Sequence, residues 1–530
     1  MVNTAEHPKA RIAPCAGTSA MLYCGGTSRT ESSGMADAHK KHRREKRSPN
    51  TQHRTPNTVV FVLSLVAVIF AINFGRQLSG DAYWNLRAGQ WILQHRAFPF
   101  HDPFSFTANR IWIMSEWGFQ VLAWLISRIS LNVLVLTAFA FVAGAILVAY
   151  RASLERASAP AAFLVAALAA GVAADMVDVR AQVTGLLAFS ILVWSVERSA
   201  RAGRGLSTWL PLLFLVWANF HSSFTAGLAL LFLEFAGSLY AAIKNPDTRR
   251  FAVPLRNLAV TAGCAIAALA NPNGARVYEF PLRTIGHGGM TSMIVEWTSP
   301  SFRSLSGAFL GLTILAIMWG IAQRRTPLRP AEVARIGVFL IGALLARRLG
   351  PFFALACAPI LAVMISSHIE DFLSSRRRSA LVYVLLAVVI IGGVLFRAKD
   401  IGGRSAFDYV TTSEVFPSEA CDFILRENPP GPMFNELNYG SYLIWRLWPK
   451  YKVFVDNRND IYFGGAFDDF ARAAIAGGDS SWRSVFDKYG INLVVLAPNS
   501  LLSDALTETR DWKLAYRDDK AVVFERLSTR

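Results

Sequence analysis

Charge is scarce in this chain of 530 residues: Asp, Glu, Lys and Arg make up 17% of it, where a soluble protein keeps about a quarter. Together with 53% hydrophobic residues and several apolar runs of roughly twenty residues, that shortage excludes a soluble globular class. It points to an integral membrane protein, because a chain crossing lipid must satisfy its own backbone. Cysteine is scarce as well. Cys15, Cys24, Cys264, Cys357 and Cys421 show no metal-ligand spacing and give no paired set for an exported disulfide framework. No internal repeat is visible, and biased composition is confined to the N-terminus.

A net charge of +17 would suggest nucleic acid in a soluble protein, but its distribution argues for topology instead, with no nucleic-acid partner. Residues 1–56 hold ten basic against four acidic residues. They lack periodicity and read as a disordered, basic cytoplasmic tail. Met35 opens a more ordinary N-terminus (MADAHKKHRREKR), which suggests a start of translation there. From Thr58 the chain holds about eleven apolar runs of spanning character: Thr58–Phe74, Leu131–Tyr150, Pro160–Met176, Gln182–Val196, Thr208–Phe220, Phe224–Ile243, Val253–Ala270, Leu305–Ile321, Ala331–Leu345, Pro351–Ser367 and Ala380–Phe396. Alternate connections are short and basic, for example Arg198/Arg201/Arg204, Arg324/Arg325/Arg329 and Arg376/Arg377/Arg378, whereas the opposite set holds no lysine before residue 399. Positive-inside bias then places the N-terminus in the cytoplasm and the C-terminal region outside it.

Residues 57–397 form the spanning domain, with a first outer loop at 76–130. Residues 398–530 change character, with strand patterns at Lys452–Asp456, Asn492–Ala497 and Ala521–Glu525 and helical patterns at Tyr439–Leu447, Phe467–Ile475, Trp482–Tyr489 and Asp504–Arg510. The expected fold is an all-α polytopic membrane protein of about eleven transmembrane helices, with a C-terminal extracytoplasmic α/β domain. Within the first outer loop, Glu116–Arg128 reads as an interfacial helix.

Given that topology, the polar residues near membrane depth share one side. Asp81, Asp102 and Glu116 lie in the first outer connection, Asp175, Asp178 and Arg180 in the second, and Asn219 and His221 in the third. Asn271, Asn273 and Glu296 follow in the fourth, and Arg347 and Arg348 in the fifth. Ionisable groups in or near spans are costly and usually face a cavity or pathway. Carboxylates that activate a hydroxyl and arginines that hold a phosphate are what transfer from a lipid-linked phosphate needs. Each residue also has a plainer reading. Asp81 fits a helix cap, Asp102-Pro103 a turn, and the arginines can snorkel to headgroups. His221 fits a packing role and the tryptophans an interfacial belt. Asp456 and Arg458 follow a strand, a common place for binding residues and equally for a salt bridge.

At these residues the chain resembles the GT-C superfamily of polytopic glycosyltransferases, which use polyprenyl-phosphate-linked sugars. The run GDAYWNLRAGQWILQHRAFPFHDPFSF is similar to the first outer loop of oligosaccharyltransferase catalytic subunits and protein O-mannosyltransferases. The segments Asp81–Trp84, Asp102–Ser105, Glu116–Trp117, Arg180–Gln182, Trp217–His221, Asn271–Gly274 and Glu296–Pro300, with Asn435–Leu447 and Val453–Arg458, resemble bacterial GT-C-like membrane proteins. The resemblance implies an inverting hexosyltransferase taking a polyprenyl-phosphate-linked sugar to a glycan, lipid or protein acceptor at the bilayer surface. Asp81 would act on the acceptor hydroxyl. Asp102 and Glu116 would bind acceptor or a divalent metal (Mg or Mn), which the resemblance admits without requiring. Arg180, His221, Arg347 and Arg348 would bind the donor phosphate. Tyr83, Trp84, Asn219, Glu296, Tyr439, Asp456 and Arg458 are further site candidates. Peptide-sequon recognition is not implied, because the Trp-Trp-Asp beside the Tyr-Gly segment is missing. An O-antigen ligase or polymerase uses the same residue types. A transporter or scaffold fits less well, since transport favours repeated halves and mid-membrane sites.

Overall fold

The computed structural model describes residues 56–73, 78–176, 178–244, 251–279, 281, 295–323, 325–401, 416–462, 464–475 and 481–527, so the tail at 1–55, with Cys15 and Cys24, lies outside the described residues. Each apolar run falls on a helix. These are α1 (Pro56–Asn73), α4 (Leu131–Ser153), α5 (Ala159–Val172), α6 (Gln182–Arg201), α7 (Leu210–Phe220), α8 (Phe224–Lys244), α9 (Ala252–Ala268), α10 (Leu305–Gln323), α11 (Pro330–Leu345), α12 (Gly350–Leu373) and α13 (Arg376–Ile401). Among the described residues six helical segments are long and apolar enough to cross a membrane: α4, α6, α8, α10, the run from Arg347 through α12, and the first part of α13. α5 packs between α1 and α12, and α4 lies along α6, joining these helices in one apolar core with Phe189, Trp217, Phe352 and Phe353 at its centre. Cys264, Cys357 and Cys421 are buried free thiols.

The first connection is not a loop. Gly80–His95 forms a sixteen-residue helix, α2, and Trp117–Ser127 forms α3. Tyr83, Trp84, Leu86 and Ile92 of α2 are buried. The two helices cross closely at Gly89, where a Cβ would collide with the carbonyl of Gln120.

The C-terminal domain holds α14 (Ser418–Glu427), α15 (Leu437–Leu447), α16 (Ala466–Ile475), α17 (Ser481–Tyr489) and α18 (Leu501–Thr507) around a sheet of order β1-β2-β4-β3. β1 (Met433–Asn435) pairs in parallel with β2 (Leu493–Leu496), in register Met433 to Leu493. β3 (Trp512–Arg517) and β4 (Val522–Arg526) form an antiparallel hairpin, with β4 also antiparallel to β2. The expected strand at Lys452–Asp456 is outside this sheet. Its partner is the first connection, through a parallel bridge from Ser105 to Val453 with Val453 N donating to Phe104 O at 3.0 Å. Inner faces of α2, the 98–114 segment and the C-terminal domain therefore share a second core.

At the ends of the helices remote from α2, a buried ionic group joins α6, α8 and α11. Arg335 is wholly buried and donates to Glu197 at 2.7 Å and to Glu234 at 2.5 Å, while Arg156 donates to Glu197 at 3.2 Å and to Glu332. Glu234, Glu332 and Arg335 sit within apolar runs and Arg156 and Glu197 just beyond theirs, opposite the face on which sequence reading concentrated the polar residues.

Candidate active site

Arg180, in the short connection before α6, gathers three carboxylates. Its Nε lies 3.1 Å from Asp81 and 3.2 Å from Asp178, and its Nη1 donates to Glu296. Asp178 in turn accepts from the backbone N–H of Ser79 at 3.2 Å and of Val179 at 2.6 Å, which fixes the start of α2 against this connection. Asp81, in the first turn of α2, also accepts from Trp84 Nε1 at 3.4 Å. Burial opposes the charge on Arg180, but Asp81, Glu296 and Asp178 outweigh it and hold the guanidinium protonated. Burial also raises the Asp81 carboxyl above its ordinary 3.8, against the pull of Arg180. For Glu296, Arg180 and Arg348 overcome burial and keep the carboxyl below the ordinary range.

Glu116 stands at the head of α3, beside this group. Burial first, and then the Asp81 carboxylate, push its pKa to about 8. It is therefore protonated at neutral pH, whereas Asp81 beside it is ion-paired with Arg180, and two neighbouring acids in such different settings suit acid–base work. Its position is set from three sides. Asn273 Nδ2 donates to Met114 O at 2.9 Å, Trp117 Nε1 donates to Asn219 Oδ1 at 2.6 Å, and Asn219 Nδ2 donates to Ala270 O at 2.8 Å. Asn219, a predicted site residue, thus clamps the connection that carries Glu116.

Arg348 differs from Arg180. Its guanidinium lies over the Trp297 ring at 4.5 Å and makes no ion pair among the described residues, although Glu296, Glu116 and Asp81 are near enough to act on it. His221 faces the same cation. Its Nδ1 accepts from Ser223 N at 3.1 Å, so the ring proton sits on Nε2, and burial followed by Arg348 lowers its pKa to about 3. Gly185 lets this turn approach α6, since a Cβ there would meet Ser223 Oγ and His221 Nδ1. Arg347 does not join the group: it pairs with Asp175 at 2.5 Å.

Asp102 and Arg458 are placed together but not as ligands. Asp102 caps its own turn, accepting from Phe104 N at 3.2 Å and Ser105 N at 2.9 Å, and takes Arg458 Nη1 at 2.6 Å and Nη2 at 3.1 Å. Both of its oxygens are thus engaged, and the side chain is fully buried. Arg458 also pairs with Asp456 at 2.6 Å, and Tyr462 donates to Asp456 at 2.5 Å. The guanidinium lies 4.6 Å from the Trp112 ring, 5.3 Å from Phe104 and 5.8 Å from Trp84. Through Trp84 this group touches Asp81, as support rather than as a binding surface. Tyr83 packs edge-on against Tyr442 and Phe416, and Tyr439 donates to Lys520 O at 2.6 Å; both serve packing around the C-terminal domain.

Among the described residues no group of three or more His, Cys, Asp or Glu side chains is arranged to hold a metal ion. Where Asp81, Asp178 and Glu296 converge, the Arg180 guanidinium already occupies the centre. The donor set therefore fits an arginine and not a divalent ion. Sequence reading passed over Asp178 as a site residue, although its spacing to Arg180 was the available signal. Asp460, which acts on Glu116 from the C-terminal domain, had no local signal.

No family model matches the sequence, and no curated protein matches it. Solved structures do. The archaeal oligosaccharyltransferase AglB from Archaeoglobus fulgidus, in complex with an inhibitory peptide and a dolichol-phosphate, superposes with a TM-score of 0.54 at 14% identity, over 83% of this chain and 69% of that one. The Archaeoglobus fulgidus oligosaccharyltransferase in complex with Zn and sulfate gives 0.52 at 15% identity, over 83% and 68%; its apo form gives 0.51 at 14%, over 84% and 70%. At such identities the likeness is one of architecture, and this chain has the GT-C fold of polytopic membrane glycosyltransferases.

Proposed function

We propose that this protein is an inverting glycosyltransferase that moves a sugar from a polyprenyl-phosphate donor to an acceptor hydroxyl at the outer face of a bacterial inner membrane. The observation that supports it is the meeting of two neighbouring carboxyls, Asp81 paired with Arg180 and Glu116 protonated, with a cation that has no ion pair among the described residues, Arg348. Asp81 takes the proton of the acceptor hydroxyl as the oxygen attacks the anomeric carbon and the bond to phosphate breaks. Arg348 meets the charge that develops on the leaving phosphate, and the neutral His221 donates to it from Nε2. Glu116, protonated, donates a hydrogen bond to the acceptor. Arg180 binds no phosphate in this scheme, because its charge is committed to Asp81, Asp178 and Glu296; it fixes the base.

Deleting the gene and profiling envelope glycans and lipid-linked sugars by mass spectrometry tests the reading. Loss of one sugar from a glycan, with its polyprenyl-phosphate donor accumulating, is expected. Asp81→Asn should fail to restore it, with a rate lower by about 10²–10⁴. An unchanged profile under conditions of expression, or a fully active Asp81→Asn protein, would overturn it.

A further inference from the structure

The C-terminal half of α2 carries a second cation that this chemistry does not use. Arg87 is half-buried and points toward α15 of the C-terminal domain. Its Nη1 donates to Gln90 Oε1 at 2.6 Å, its Nη2 donates to the carbonyl oxygen of Trp445, and its Nε is shielded from solvent without a partner. Every acceptor it has is neutral. Burial lowers its pKa to about 10, and among the described residues no carboxylate offsets that.

Apart from Arg348, the other deeply placed arginines show how this chain meets such a charge. Arg180, Arg335 and Arg458 each rest on two or three carboxylates. Arg87 has tryptophan instead, with the Trp445 and Trp448 ring centroids 5.1 and 5.6 Å from its guanidinium carbon. Trp91, one turn further along α2, and Trp124, 6.0 Å from Trp445, extend a half-exposed aromatic rim. An aromatic face attracts a cation but does not neutralise it, and a desolvated charge without a partner is unfavourable. A buried donor without a partner among the described residues calls for an explanation. Tryptophan faces are also surfaces against which the C–H face of a pyranose stacks.

We propose that Arg87, with Trp445 and Trp448, forms a binding site for the anionic group, carboxylate or phosphate ester, of an acidic saccharide. The site lies about 9 Å along α2 from Asp81, six residues at the helical rise, and about 120° around the helix axis from it. Occupancy is a binding property and does not depend on the transfer chemistry assigned to Asp81.

The test uses the full chain in nanodiscs of zwitterionic lipid, with binding followed by tryptophan fluorescence. Glucose 1-phosphate and glucuronate should bind saturably and more weakly in high salt, whereas glucose should not bind measurably. Arg87→Met should weaken the anionic ligands by about tenfold or more, and Arg87→Lys, which keeps charge without the fork, by a smaller factor. A second arm adds phosphatidylglycerol. Loss of sugar-phosphate binding, with the lipid retained by wild type and not by Arg87→Met in native mass spectrometry, supports the anion site and identifies a lipid headgroup as its source. Equal affinity for glucose and glucose 1-phosphate, or equal affinity of wild type and both Arg87 variants, overturns the proposal. Neither result touches the role of Asp81.

Discussion

Replacing Glu116 by Gln isolates one strongly perturbed acid of the site without needing a substrate. In the folded protein this carboxyl titrates near 8 rather than at the ordinary 4.5, because it is buried and lies beside Asp81. In the unfolded chain it returns to the ordinary value. Between those two points the folded protein holds a proton that the unfolded chain has released. Stability therefore falls as pH rises through the interval and stops falling above its upper end. Each pH unit is worth about 1.4 kcal/mol at full strength, and partial contact with water reduces this to about 0.5–0.7 kcal/mol. From about pH 6 to about pH 8, wild type should lose about 1–1.5 kcal/mol that Glu116→Gln retains. Thermal unfolding of both proteins at both pH values, followed by tryptophan fluorescence, measures it as a difference of differences in which titrating groups not coupled to Glu116 cancel. Parallel pH trends in the two proteins would refute the assignment of a protonated Glu116.

Three further outcomes follow from the geometry. Since Arg180 fills the centre of its three carboxylates, exhaustive chelation should leave transfer unchanged while Arg180→Lys lowers kcat by at least about tenfold; loss on chelation with recovery on Mg²⁺ would contradict this. Arg458→Met strands Asp102 and Asp456 as buried anions and should cost about 3–5 kcal/mol in thermal or denaturant unfolding, and a variant as stable as wild type would show that the group carries little. His221 is already neutral above about pH 4, given its pKa near 3, so rate profiles should show no inflection near the ordinary histidine value, and His221→Phe should raise the KM for donor more than it changes Asp81-dependent steps.

Much of this was legible because apolar length and helical burial are local properties. The runs found by hydropathy are helices, and sorting polar residues by side brought Asp81, Glu116, Arg180, His221, Glu296 and Arg348 to one place. Other features depend on distant partners. Gly80–His95 looks like a loop because its Asp, Asn, Arg, Gln and His dilute the apolar signal, yet Tyr83, Trp84, Leu86 and Ile92 become buried once the C-terminal domain supplies a surface. The alternation of Lys452–Asp456 suits a strand, but nothing within it says that its partner is Phe104–Phe106. Asp102 carried two readings, and the turn prevailed because Phe104 N and Ser105 N lie within reach of its own carboxylate. The cluster around Arg335 went unseen because Glu234 is an isolated charge in one apolar stretch and Glu197 stands at the end of another beside Arg198, and only packing shows that they share one arginine.

The pairing of Ser105 with Val453 also sets an order in time. Asp102 and Arg458 stand 356 positions apart, and a chain made at about 5–20 residues per second needs roughly 20–70 s to cover that distance. For that interval Asp102, Phe104 and Trp112 have left the ribosome while the segment that will cover them does not yet exist. The membrane helices can all be inserted before it arrives. Covering of the first connection therefore follows synthesis of every apolar helix, and a chain ending before Val453 would retain those helices while leaving that connection exposed to proteases and chaperones.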